Sequence, residues 1–203
     1  MKQYNNDNET KKRILSAAVK IFAQKGYDGA GIREICREAK INISMISYYF
    51  GGKQELYEAI IADVIAAQLE YLDGKIDLFA DYDDCSTEEC RAMIYNFTDL
   101  MIDFFYDVIS FDQMKFFIRE QHSENFAAVN PPAKLFMRKV LLKIFDGVLT
   151  DTQISCLTAL IAAQITAPRI LPLINGNRNF TSEDVIFIKN NMRRYLRGIF
   201  SEI

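Results

Sequence analysis

The chain has 203 residues, half of them apolar, with 15 Phe and 10 Tyr against 9 Gly and 4 Pro, and a formal charge of −3. That length is ample for a buried core, and the composition excludes a disordered chain and argues against a turn-rich all-β one. The charge is uneven: residues 1–56 hold ten Lys and Arg against six Asp and Glu, whereas residues 57–203 hold fourteen against twenty-one. An acidic whole therefore hides a basic N-terminal end, where contact with a polyanion is expected.

The polar start MKQYNNDNETKKR lacks the apolar stretch of a secretory signal, and no later run reaches eighteen uninterrupted apolar residues. Both features predict a cytoplasmic protein that does not enter the membrane. Cys36, Cys85, Cys90 and Cys156 show neither CxxC nor metal-finger spacing, so they are expected to be thiols, and neither metal nor cofactor is implied.

Apolar positions recur at three and four residues throughout, which predicts an all-α chain of about nine helices. Residues 8–10 offer a cap for a first helix whose Ile14, Ala18, Ile21 and Phe22 share a face, and Gly26 stops it. Ile32, Ile35 and Cys36 open a short second helix ending near Ala39. Asn42 caps a third over residues 43–50, ended by Gly51 and Gly52. Lys53 opens a longer fourth helix with Leu56, Ile60, Val64, Ala67 and Tyr71 on its apolar face. It runs into the acidic residues 73–89, read as a solvated connection. Helices follow near residues 91–108, 112–124 and 133–149, the last after Asn130-Pro131-Pro132. Two more close the chain. Thr150 or Asp151 caps the first, with Ile154, Leu157, Ile161 and Ile165. Thr181 and Asp184 make a capping-box-like start for the second, with Val185, Ile188, Met192, Tyr195 and Ile199.

Two short helices joined by a tight turn can offer one helix to the major groove while the other braces it. Apolar Ile32, Ile35, Ile41 and Ile46 suit a small shared core, and Phe50 and Leu56 tie in the fourth helix. Ser44, Ser47, Tyr48 and Tyr49 supply hydroxyls that the third helix does not need for packing. The run Arg33-Glu34-Ile35-Cys36-Arg37-Glu38-Ala39-Lys40-Ile41-Asn42, followed by Ile46-Ser47-Tyr48-Tyr49-Phe50-Gly51-Gly52-Lys53-Gln54-Glu55-Leu56, resembles the signature of the TetR family of regulators. Ile14-Leu15, Ala17-Ala18, Phe22 and Gly26-Tyr27 extend the likeness into the first helix.

The resemblance implies a three-helix helix-turn-helix domain over residues 1–56 and a larger helical domain over 57–203 for ligand sensing and dimerisation, bridged by the helix that begins at Lys53. It also implies DNA contacts residue by residue. Ile43, Ser44 and Met45 are expected nearest the base edges, and Ser47, Tyr48 and Tyr49 on phosphates. Lys53 is expected on a phosphate at its helix terminus, with Arg33 as a further phosphate contact. The chain departs from the family pattern in three places. Ala30-Gly31 replaces hydroxyl residues, Lys40 stands where Gly is common and would need an unfavourable backbone angle, and Asn42 replaces Ser but caps equally well. Residues 43–50 contain no Arg, Gln or Asn, so base readout is expected to rest on thymine methyls, water and DNA shape.

Beyond Tyr71 two fragments, Phe117-Ile118-Arg119-Glu120-Gln121 and Ala167-Pro168-Arg169, are similar to a C-terminal domain type in TetR-like regulators linked to antibiotic sensitivity. Phe104, Phe105, Tyr106, Phe111, Phe116 and Phe117, with Met114 among them, make a stretch dense in aromatic residues, which reads either as helical core or as the lining of an apolar cavity; Phe104, Phe105, Met114 and Phe117 are the candidate lining residues. Arg119, Gln121 and His122, with Gln164 and Arg169, are the candidate polar anchors of a small-molecule effector. On the last two helices, Ala159 and Ala163 permit close approach. Val185, Ile188, Met192, Tyr195 and Ile199 form a stripe available to a homodimer. Such a dimer would set two recognition helices roughly 34 Å apart on a palindromic double-stranded DNA operator. Release by a mostly apolar ligand, through movement of the fourth helix, is what the family resemblance implies, with repression as the family habit.

No Gly-rich phosphate loop, GxSxG elbow or Glu-x-x-His pair is present, and no catalytic residue is identified. The alternative to a regulator is a helical ligand- or protein-binding module that has lost sequence-specific DNA binding.

Overall fold

The computed structural model describes residues 2–120, 131–170 and 180–201, with side chains from residue 7 onward and excluding that of residue 170. Among them are nine α-helices and no strand. In chain order these are α1 (Lys2–Gly29), α2 (Ile32–Ala39), α3 (Ser44–Phe50), α4 (Lys53–Leu72), α5 (Thr87–Asp103), α6 (Phe111–Glu120), α7 (Pro132–Ile144), α8 (Asp151–Ile170) and α9 (Ser182–Ser201). A single π-helical turn, Phe104–Val108, follows α5. The chain divides into two compact units, one of residues 1–69 and 109–129, the other of residues 70–108 and 130–203.

In the first unit α1 starts earlier than the cap at residues 8–10 suggests, because the polar residues from Lys2 continue the helix outward. Its inward face follows the expected spacing: Ile14, Ala18 and Phe22 are fully buried and Ile21 nearly so. Gly26 breaks the run with φ 72° and ψ 175°, a conformation that a side chain disfavours. A Cβ there would also sit 3.0 Å from Nε of Arg119, whose Nη1 donates to the carbonyl of Gln24 at 3.2 Å.

Helix α2 begins at Gly31, which has extended backbone and no side chain to cap with, and it ends in a Schellman-type closure. Lys40 adopts φ 53°, ψ 52°, the left-handed angle its sequence position foreshadows, while the Ile41 amide donates to the Cys36 carbonyl at 3.0 Å. The Asn42 side chain accepts from the Ser44 amide at 3.2 Å and so caps α3. Ile35, Ile46, Leu56, Tyr57 and Ile60 close the core.

Phe116 of α6 completes this core, though it stands sixty residues beyond Leu56, where the pattern ends. It is 1% exposed, and its ring lies 5.4 Å from that of Tyr57 and 6.3 Å from that of Phe22. Next to it, the Tyr57 hydroxyl donates to Oε2 of buried Glu120 at 2.7 Å.

In the second unit α5 opens with a complete capping box: the Glu89 amide donates to Oγ of Ser86 and the Ser86 amide to Oε2 of Glu89. Within the acidic stretch Asp81, Asp83, Asp84, Glu88 and Glu89 are exposed as expected. The stretch is nonetheless anchored, since Leu78 and Tyr82 are buried and Tyr82 packs edge-on against Phe136. Thr150 with Gln153 caps α8, and Thr181 with Asp184 caps α9. Lys189 and Arg193 of α9 pair with Asp103 and Asp99 of α5.

The stripe expected to remain free for a partner does not. Val185, Ile188 and Met192 are buried within this unit beside Leu196 and Phe200, and Tyr195 and Ile199 are half-buried. The helical period allows either of two adjacent apolar faces to turn inward, and α9 turns this one. Ile186 and Phe187 are left outside, 56% and 68% exposed.

Candidate functional site

The short α3 carries a contiguous outer face. Ile43, Ser44, Ser47 and Tyr48 are all exposed, and their i, i+1, i+4, i+5 spacing sets them on one side of the helix. Met45, expected near the base edges, turns the other way and is half-buried against the unit's core. The Tyr48 and Tyr49 rings meet edge to face at 4.9 Å, so Tyr49 partly supports the more exposed Tyr48. Arg33 of α2 is exposed.

Around this face the charges are braced rather than loose. Lys20 of α1 meets Glu38 of α2 at 2.6 Å, and Lys25 of α1 meets Glu34 of α2 at 2.8 Å, which ties α2 to α1. The hydrogen bond from Lys20 holds the Glu38 carboxyl below the ordinary carboxylate range and raises the Lys20 amine in return. The Lys53 ammonium lies 4.5 Å from the centre of the Tyr27 ring. At the same end of α4, Glu55 folds back so closely that a Cβ on Gly52 would sit 2.9 Å from its Oε2. Gly51, at φ 98°, makes the turn between α3 and α4.

Sequence reasoning missed Asp7. Its Oδ1 accepts a 2.8 Å hydrogen bond from the Tyr49 hydroxyl, and that bond is the main cause of a raised Tyr49 phenol pKa. A lone acid in a polar N-terminal run gives no periodic signal.

The candidate effector residues are divided between the two units. Phe104 and Phe105 are buried in the second unit, whereas Met114, fully buried, and Phe117, half-buried, belong to the first. The exposed Arg119 is spent on Gln24 and the Gly26 turn, and Gln164 is exposed on α8. Gln121 and His122 lie outside the described residues. Arg169 is half-buried, with its guanidinium carbon 5.8 Å from the centre of the Tyr106 ring, and burial lowers its pKa. Burial likewise pushes the Tyr106 phenol well above its ordinary value, and Phe180 packs edge-on against that ring at 5.0 Å. Tyr106 belongs to the same aromatic stretch of the sequence as Phe104 and Phe105. A π-helical turn, which buries Phe104, Phe105 and Tyr106 in succession, has no period that an α-helical reading detects. Of the dimer candidates, Ala159 and Ala163 are exposed on α8 beside Leu160, which is 56% exposed.

No helix among the described residues is long and apolar enough to cross a membrane. Among them no group of three or more His, Cys, Asp or Glu is placed to hold a metal, and the four cysteines are free thiols.

Residues 14–60 match the family described as bacterial regulatory proteins, tetR family. The probable HTH-type transcriptional regulator YttP of Bacillus subtilis is 44% identical over 54 residues, 27% of this chain and 26% of that protein. The HTH-type transcriptional repressor NicS of Pseudomonas putida is 40% identical over 60 residues, 30% of this chain and 28% of that protein. The HTH-type transcriptional regulator RutR of Escherichia coli is 30% identical over 101 residues, 41% and 48% of the two chains. The matches thus span from about a quarter to about half the length of these relatives. Solved structures extend further. A transcriptional regulator from Aquifex aeolicus VF5 superposes with TM-score 0.56 at 21% identity, covering 94% of this chain and 99% of that one. A regulator from Pseudomonas aeruginosa PAO1 does so with TM-score 0.59 at 18% identity, over 94% and 90%. At such identities the likeness is one of fold.

Proposed function

The chain belongs to the TetR family of bacterial regulatory proteins through its residues 14–60, and from that premise we propose that it is a cytoplasmic transcriptional repressor rather than an enzyme, binding a palindromic operator as a homodimer. The observation that carries the reading is the outer face of α3, with Ile43, Ser44, Ser47 and Tyr48 exposed on a helix whose Ile46 is buried in a core shared with α1 and α2. Ile43 suits a thymine methyl, and the serine hydroxyls suit base edges or phosphate. Tyr49 and Lys53 flank this face and would hold backbone phosphates, Lys53 with help from the α4 N-terminus; Arg33 would add a cation.

The dimer would use the exposed apolar side chains of the last two helices, Leu160 with Ala159 and Ala163 on α8, and Ile186 with Phe187 on α9. A monomer has no use for a 68% exposed Phe beside an exposed Ile, and a two-fold four-helix contact would cover both. The effector would be a mostly apolar small molecule taken up in the second unit, where Phe104, Tyr106 and Arg169 combine aromatic surface with two polar groups.

The reading is tested by titrating the purified chain against duplex DNA from the region upstream of its own reading frame. Saturable binding that weakens on Tyr49→Ala or Lys53→Ala, in folded variants, supports it. Indifference to DNA at low salt favours a binding module that has kept the helix-turn-helix only as a scaffold.

A further inference from the structure

The first turns of α1 lie outside the helix-turn-helix pattern, yet they reach the face assigned to DNA. Asp7 is exposed, and its carboxylate receives the only proton that the Tyr49 hydroxyl has to give, across 2.8 Å. A phosphate oxygen accepts and cannot donate, so Tyr49 cannot serve Asp7 and a DNA phosphate with the same proton. Nor does a second anion sit comfortably there, since the carboxylate and a phosphate on one hydroxyl would be near neighbours of like charge. Glu9, two residues on, is exposed as well, and beyond it the stretch turns basic. Lys11, Lys12 and Arg13 are exposed nearby, with the Lys11 ammonium 5.7 Å from the centre of the Phe50 ring. Asp7 is thus an acid at the edge of a basic run, aligned with a tyrosine hydroxyl.

We propose that Asp7 stands in for a DNA phosphate in the free protein, holding the Tyr49 hydroxyl and competing with the DNA backbone for it. The inference rests on the DNA-binding reading above and deepens it. Asp7 would lower affinity for every duplex alike, because the contact it blocks carries no sequence information. Binding would require the Asp7 side chain to swing away, after which the hydroxyl turns to the phosphate.

The test uses the full chain and a fluorescently labelled mixed-sequence duplex of about 30 base pairs at low salt, where backbone contacts dominate. Asp7→Asn keeps an acceptor for Tyr49 but removes the charge, and Asp7→Ala removes both. Asp63→Asn, at an exposed position of α4, makes the same change of charge elsewhere in the first unit. We expect both Asp7 variants to tighten binding about three- to tenfold and Asp63→Asn to change it by less than about twofold. In a Tyr49→Phe background the gain from Asp7→Asn should shrink below about twofold, because the hydroxyl in dispute is gone. Unchanged or weaker binding by both Asp7 variants, at unaltered thermal midpoints, overturns the proposal. So does an equal gain from Asp63→Asn, or a gain that survives whole in Tyr49→Phe. A folded wild-type chain that ignores the duplex altogether defeats the DNA-binding reading itself, and the two failures are told apart by that control.

Discussion

Phe116→Ala removes the side chain by which α6 completes the core of the first unit. The ring is 1% exposed and lies within 5.4 Å and 6.3 Å, centre to centre, of Tyr57 and Phe22, both fully buried. Those two rings belong to α4 and α1, which cannot collapse into the gap without disturbing the Tyr57 bond to Glu120. A fully buried Phe cut to Ala in such a setting costs about 3–5 kcal/mol, a large share of the roughly 5–15 kcal/mol that stabilises an ordinary domain. Urea denaturation followed by far-ultraviolet circular dichroism measures it, with the midpoint falling and the slope unchanged. Phe79→Ala is the control, since Phe79 is 75% exposed and its loss should stay within about 0.5 kcal/mol. A cost below about 1 kcal/mol for Phe116→Ala would refute the claim that α6 is part of this core.

Lys40→Gly should stabilise the chain by about 1 kcal/mol, read from the same denaturation curves, because Lys40 is the only non-glycine at positive φ among the described residues. Ser86→Ala should cost about 1 kcal/mol by opening the capping box of α5. The same box gives a pH signature. Its hydrogen bonds hold the Glu89 carboxyl below the ordinary value, so the contribution is present above the unfolded carboxyl pKa and is lost as pH falls through the folded one. Stability of the wild type should therefore drop more than that of Ser86→Ala between roughly pH 5 and 3. Phe187→Glu should convert a dimer to a monomer at micromolar concentration, as seen by light scattering on a sizing column. A retained dimer mass would move the interface elsewhere.

Much of the first unit was legible because its signals are local. The spacing of Ile14, Ala18, Ile21 and Phe22 and the Asn42 cap follow from residues within a few positions of one another, whereas the left-handed angle at Lys40 follows from the family resemblance, which has Gly commonly at that turn. The contributions of Phe116, Glu120 and Asp7 were not, since each depends on a partner between 42 and 94 residues away. Periodicity also places a stripe on a helix without saying which neighbouring stripe faces inward. That is why Val185, Ile188 and Met192 read as an interface and proved to be core, leaving Ile186 and Phe187 outside. The aromatic stretch from Phe104 to Phe117 reads as helical core or as a cavity lining, and its sequence shows neither the π-helical turn at Phe104–Val108 nor the change of unit at residue 109. Arg119, read as a ligand anchor, also donates to the Gln24 carbonyl and lies against Gly26, contacts 93 to 95 residues away that no local pattern shows.

The central claim, that the α3 face and its flanking cations grip DNA, is tested most directly by the salt dependence of binding to the chain's own upstream region. With Arg33 and Lys53 from each protomer of a dimer on phosphates, the logarithm of affinity should fall against that of salt with a slope of at least about −3 to −4. Lys53→Ala should reduce that slope by nearly two while the protein stays folded. A flat salt response, or one that Lys53→Ala leaves unchanged, would contradict the account.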